Sequence, residues 1–202
     1  MKSKLLLIMI AMSIGLSASE FSQAKKDCDN NIGSSCYSLA HMYADDHDNN
    51  RALETFKKGC ELNHTKSCVG AGAVASEMGD NQQIEKYYKE ACDKGSNLGC
   101  EFLGNHYFKQ GSYKKAISPL KKVCFSSSME EQRTCQKLAD ISKELSDDDL
   151  AMSIMQNCIS KEPSSLGVIR IKESFCATEL NLNIYDKKRN NSSSLYPLLF
   201  TR

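Results

Sequence analysis

The chain has 202 residues, 41% of them hydrophobic, no tryptophan and a formal charge of +1. So balanced a charge excludes a globally basic nucleic-acid binder, and an aromatic content of 7% advertises no single large core. Ten cysteines, an even number, point instead to a disulfide framework.

The first element in chain order is a targeting segment. Residues 1–4 are short and basic, residues 5–14 are apolar, and Ser17 and Ser19 suit the small-residue positions of a cleavage site before Glu20. Residues 1–19 therefore read as a signal peptide, because the apolar run is too short for a good membrane span. The expected location is secreted or periplasmic, with no stable membrane insertion after cleavage. Disulfides persist in such compartments. Loss of Lys2 and Lys4 lowers the formal charge by two, from +1 to −1, and no nucleic-acid partner is expected.

Residues 20–183 carry a repeat. The first cysteines of five couples are Cys28, Cys60, Cys92, Cys124 and Cys158, spaced by 32, 32, 32 and 34 residues. Their partners Cys36, Cys68 and Cys100 follow after 8 residues, Cys135 after 11 and Cys176 after 18. A fixed period of this size marks stacked helix pairs. Eight residues before the first cysteines stand Ala52, Ile84, Ala116 and Leu150, and four before stand Phe56, Tyr88, Leu120 and Ile154. This i, i+4, i+8 stripe is the buried face of one helix, helix B. Three residues after the second cysteines stand Leu39, Ala71, Leu103 and Leu138, followed by the small residues Ala40, Gly72, Gly104 and Ala139. That is helix A, whose small positions are expected to admit a neighbouring helix.

Turn formers such as Asn30, Asn31 and Gly33, or Gly95 to Asn97, separate the cysteines of a couple. Each couple is thus expected to join the end of helix B to the start of the next helix A, contributing about 2–3 kcal/mol by loop closure. A metal site is the rival reading of paired cysteines, but structural zinc sites use closer couples, and no metal or cofactor is predicted. Caps are placed at residues 20–32 and about 160–183. Pro119 falls inside one helix B. Residues 184–202, basic and serine-rich, read as a disordered polar tail.

The stretches 36–43 (Cys-Tyr-Ser-Leu-Ala-His-Met-Tyr) and 91–107, with their eight-spaced cysteines, Leu-Gly pair and following tyrosine, resemble the Sel-like repeat (SLR) family. Among its branches they are most similar to the disulfide-bonded cysteine-rich Helicobacter proteins. The resemblance covers residues 28–145 well and 146–183 loosely. The family's usual repeat is about four residues longer, which puts the curvature of any groove in question. The resemblance implies an all-α, right-handed α/α solenoid of about four to five disulfide-stapled SLR/TPR-like helix pairs. It also implies either an adaptor or a penicillin-binding, β-lactamase-like protein.

The chemistry discriminates between these. A serine β-lactamase needs Ser-x-x-Lys with Ser-Asp-Asn and Lys-Thr-Gly elements. The strings Ser22…Lys25, Ser112…Lys115 and Ser118…Lys121 occur at about chance frequency, Lys-Thr-Gly is absent, and Ser146-Asp-Asp148 only approximates the third element. Catalytic residues are therefore not assigned. The four histidines, at 41, 47, 64 and 106, lack clustered metal-ligand spacing. Residues 46–57 begin like a calcium loop but carry Arg51 and Lys57 where glycine and glutamate are needed. Lysines recur three residues before the first cysteines, at 25, 57, 89 and 121. They form either a basic stripe for an anionic partner or a helix-dipole complement.

The reading that follows is a monomeric, exported scaffold that binds a protein or a peptidoglycan-like envelope ligand. Its contacts are expected on the helix A face, at Tyr37, Ser38, His41, Glu101, Phe102 and Asn105, one, two and five residues after the second cysteines. The alternative is a β-lactam-binding protein or weak hydrolase.

Overall fold

All but one pair of successive described helices in this chain are joined by a link of three residues, and one backbone device explains it. The computed structural model describes residues 18–126 and 131–161. Among these residues there are nine helices and no strand: α1 (18–29), α2 (Gly33–Asp45), α3 (Asn49–Glu61), α4 (Thr65–Glu77), α5 (Asn81–Asp93), α6 (Asn97–Lys109), α7 (Tyr113–Cys124), α8 (Glu131–Glu144) and α9 (Asp148–Lys161). Residues with positive φ sit at Asn31, His47, Asn63, Gly79, Gly95 and Gly111, each 16 positions after the last. A left-handed residue just past a helix lets the chain turn back and bond the helix's last carbonyls. The next amide then closes the longer loop: Asp48 N–H donates to Tyr43 O at 2.9 Å, Asp80 to Ala75 O at 3.0 Å, and Ser112 to Tyr107 O at 2.9 Å.

The residue closing one helix is also the cap of the next. Asp48 Oδ1 accepts from the Arg51 amide at 3.0 Å, Asp80 Oδ1 from Gln83 at 3.1 Å, and Asp147 Oδ1 from Leu150 at 2.9 Å. One residue thus serves both helix ends, and helices of 13 residues alternate with three-residue links. The 32-residue period is two such halves. Among the described residues the next with positive φ after Gly111 is Ser146, 35 positions on, where two half-periods would give 32. The three extra residues match the wider Cys124–Cys135 couple, 11 apart instead of 8.

The chain forms two compact units that meet in sequence between His106 and Tyr107, within α6. In the first, α3 packs on both α2 and α4, α5 packs on α4, and α2 also touches α4 directly. The predicted helix B stripe is buried in both units, from Ala52 and Phe56 through Ile84 and Tyr88 to Leu120 and Ile154. So are Leu39, Ala71, Leu103 and Leu138 of helix A. Leu53, Val74, Tyr87, Val123 and Ile141 join this core outside the predicted stripes. Pro119 is buried within α7, which runs through it to Cys124. The fold is therefore an all-α, α/α solenoid of helix pairs.

Four disulfides lie across the B-to-A links: Cys28–Cys36, Cys60–Cys68, Cys92–Cys100 and Cys124–Cys135, with Cα separations of 4.5, 4.7, 4.4 and 4.8 Å. The expected Cys158–Cys176 bridge lies outside the described residues, as do most of the signal peptide, the C-terminal cap beyond residue 161 and the tail. In the second and third couples the close backbones restrict the residue before one of the cysteines. A Cβ at Gly59 would lie 2.4 Å from Ser67 Oγ, and one at Gly99 would lie 2.5 Å from Ala91 Cβ. The second couple thus pairs Gly59 with Ser67, and the third pairs Ala91 with Gly99: one side is glycine in each case.

A substitution exchange tests this. Gly59→Ala is expected to destabilise the chain by about 1–3 kcal/mol through overpacking. Adding Ser67→Gly, which recreates the third couple's pairing, should return a large part of the loss. Urea unfolding with disulfides intact measures both, and additive losses in the double variant would refute the steric account.

Candidate functional site

Helix A residues one and five positions after a second cysteine lie on a face that the core stripe leaves open. On α2 these are Tyr37, half-buried, and His41, exposed. The Tyr37 ring lies 4.5 Å from His41, 5.9 Å from Phe56 and 5.2 Å from His64, and His41 meets Phe56 edge-on at 5.1 Å. Phe56 itself is 1% exposed. Its ring occupies the space beside Gly70 of α4, where a Cβ would approach to 2.5 Å. The His41 imidazole and the Tyr37 phenol therefore cover a buried phenyl ring at the surface of the first unit, and the His64 imidazole lies against the phenol.

The second set centres on Tyr88 of α5. Its ring packs 5.2 Å from Phe102 of α6 and fills the space beside Gly72, where a Cβ would lie 2.5 Å away. At Gly72 the small position of helix A thus admits an aromatic ring from helix B. The cause is the tyrosine four residues before Cys92, whose ring is wider than a methyl group. Glu101 and Asn105 are half-buried on α6 beside Phe102. Ser38 is exposed and donates to Ser34 O at 3.3 Å.

His64 is the member that sequence reasoning passed over. It sits in the α3–α4 link, four residues after Cys60, a position held by Ile32 and Ser96 in the neighbouring repeats. That variation was the available signal. His64 Nδ1 lies 2.9 Å from Ser67 Oγ. Burial pushes the His64 imidazole below its ordinary value of 6.5, and the nearby Lys66 charge acts the same way. A serine beside a histidine invites a nucleophile–base reading. Ser67 is fully buried, however, packed against Gly59 and close to Cys36, so a substrate cannot reach it. The pair closes the start of α4.

The Ser-x-x-Lys strings are likewise occupied by structure. Lys25 Nζ bonds Asp29 at 3.0 Å, Ser112 is the residue preceding α7, and Lys121 lies over the Phe125 ring at 5.2 Å. In the lysine ladder Lys57 pairs with Glu54 at 2.7 Å and Lys89 with Asp93 at 2.6 Å. Lys25, Lys57 and Lys89 are thus balanced within their own helices. The calcium-like segment is the α2–α3 turn, with Asp48 bonded to Arg51.

One further polar group ties repeats together. Lys94 Nζ donates to Cys60 O at 2.7 Å and to Glu90 Oε1 at 2.9 Å, close to the Cys60–Cys68 sulfurs. Cys60, Cys68 and Glu90 bring ligand-type atoms within 4.8 Å. Both sulfurs are spent in a disulfide and the carboxylate holds Lys94, so the group is a structural tie. In the second unit Asn157 Nδ2 donates to Cys124 O at 3.2 Å, the same kind of bond two couples later.

No family model matches this chain, and no curated protein does. Solved structures do. YrrB, a TPR protein with an unusual peptide-binding site, matches at TM-score 0.54 and 16% identity, covering 84% of this chain and 91% of its own. MamA matches at 0.52 and 20%, covering 78% and 89%. PilF of Pseudomonas aeruginosa matches at 0.55 and 14%, covering 83% and 75%. Together they show a TPR-like helical-repeat fold. Four disulfides mark an oxidising, non-cytoplasmic setting. Among the described residues no helix is long and apolar enough to cross a membrane.

The depressed His64 basicity has a signed consequence. The unfolded chain takes up a proton more readily than the folded one, so His64 favours folding above about pH 6.5 and ceases to as pH falls through its lowered value. Between pH 7.5 and 5 the thermal midpoint of the native chain should fall further than that of a His64→Gln variant. Parallel declines would show that His64 is not responsible.

Proposed function

We propose that this protein is an exported binding scaffold that captures a peptide segment of an envelope protein along its helix A face. The observation that carries this reading is the open cluster of Tyr37 and His41 over buried Phe56, with His64 against Tyr37. Such rings offer large contact area at small conformational cost, and their polar edges can bond a peptide backbone. Next to it on α4, the half-buried Ala73 stands at the register position of His41, so the polar and aromatic groups there come from α2 and the α3–α4 link. Glu101, Phe102 and Asn105 on α6 supply a further set of polar and aromatic groups. The TPR-like fold supports the proposal, since arrays of this kind present extended binding surfaces.

The disulfides suit this role. A scaffold working outside the reducing cytoplasm keeps its binding face rigid when each link is covalently closed. SLR membership, secretion through the N-terminal segment and a monomeric state belong to the same proposal.

The test is capture from an envelope fraction by the oxidised chain, followed by affinity measurement with the recovered partner. Changing His41, Glu101 and Asn105 together to Ala should weaken binding roughly tenfold or more, about 1.4 kcal/mol. Tyr37→Ala should do so alone, as an aromatic anchor. Full retention by the triple variant would place the binding face elsewhere. Recovery of peptidoglycan fragments in place of protein would replace the peptide by a cell-wall ligand.

A further inference from the structure

Helix α7 differs from the other B helices in its charge. It carries Lys114, Lys115, Lys121 and Lys122 and no carboxylate, and residues 102–129 contain five lysines with no Asp or Glu. Helices α3 and α5 mix both signs. At 3.6 residues per turn, the four lysines and Ser118 fall within a sector of about 120°. The opposite sector holds Ala116, Pro119, Leu120, Val123 and Cys124, all buried. The two lysine pairs are separated by seven residues, about 10 Å of helix rise. On one side the strip is bounded by acid, because Lys114 shares a surface hollow with Asp147, Asp148 and Asp149.

We propose that the outer face of α7 is a docking strip for a linear polyanion of the acidic-polysaccharide class, a surface separate from the peptide face on α2, α4 and α6. Ordered lysines along a rigid helix concentrate an anionic chain whose charges repeat along its length, and short-range screening confines the attraction to that strip. A membrane surface fits less well. An interfacial helix needs exposed large apolar residues, and among the described residues these, Ile32, Met78 and Leu98, lie outside α7. Nucleic acid fits less well too. The aromatic rings nearby are already engaged, Phe125 beneath Lys121 and Tyr113 against Phe108, so they offer no open platform for bases. The disulfides also place the chain where nucleic acid is scarce.

The experiment titrates the full oxidised chain against a fluorescently labelled heparin oligosaccharide, at low and moderate salt. Three lysines of the strip (Lys115, Lys121 and Lys122) changed to Gln should lose roughly tenfold or more in affinity. Changing Lys25, Lys57 and Lys89 to Gln removes the same formal charge from helices that carry carboxylates beside their lysines, and should shift affinity by less than about twofold. The three strip lysines changed to Arg should retain binding, which separates loss of charge from loss of fold. Equal losses in the two Gln triples, or no oligosaccharide binding by the native chain, would overturn the proposal. So would displacement of the oligosaccharide by anionic phospholipid vesicles or duplex DNA at lower charge concentration than unlabelled oligosaccharide requires.

Discussion

The double duty of one residue at the three-residue helix links, whose amide closes one helix and whose carbonyl opens the next, is the constraint on which the rest of this structure depends. A residue such as Asp48 donates its amide back to the helix just ended and accepts with its carboxylate from the helix about to begin. Sharing that residue leaves room for only three linking positions, one of them left-handed. Helix length, the direction reversal and the 16-residue half-period then follow together. Within the first unit, a chain on this clock returns the same helix face to the same side every 32 residues, which is what lets a modest apolar stripe become a shared core. With no tryptophan and few aromatics, each repeat buries little by itself. Stacking supplies what a single core otherwise would.

The disulfides reinforce every second junction, and they constrain their surroundings in return. Cα atoms held at 4.4–4.8 Å leave little space between the ends of two helices. Glycine appears at Gly59 in one couple and at Gly99 in the next, on opposite sides of the same gap. Lys94 and Asn157 meet another need of these junctions, bonding the carbonyl of a cysteine from the preceding couple. Covalent closure, steric economy and polar satisfaction are thus concentrated at the B-to-A links. The helix A face, away from them, is free to vary.

That freedom explains why the face is chemically diverse while the core is monotonous. The position five after the second cysteine holds histidine, alanine or asparagine at 41, 73 and 105, and the link residue just before helix A holds isoleucine, histidine or serine at 32, 64 and 96. Only where the link holds histidine does its imidazole join Tyr37, beside His41 and Phe56. Its proximity to Ser67 has the distances of a catalytic pair, but complete burial of the hydroxyl makes it a structural bond. Geometry alone would mislead here, and accessibility decides the matter.

The repeat, the helix A and B stripes and the disulfide-stapled solenoid architecture were legible in the sequence. Each rests on local periodicity or on cysteines only 8 to 11 residues apart, so near-neighbour information suffices. The cluster of Tyr37, His41, Phe56 and His64 was half legible. The α2 positions could be named from their register. His64 could not, since it belongs to a turn and meets Tyr37 only after an intervening helix has folded back. The role of Gly70 and Gly72 was hidden for the same reason. A glycine in a helix says that something approaches, and only packing shows that the rings of Phe56 and Tyr88 do so. Charge behaved likewise. The lysine ladder is visible as a spacing, but the neutralisation of Lys25, Lys57 and Lys89 depends on which carboxylate each side chain reaches in three dimensions. Sequence by itself determined the periodic scaffold, because hydrogen bonding and hydrophobic spacing act over a few residues. Tertiary structure alone decided which surface groups meet, because those meetings join helices that are distant along the chain.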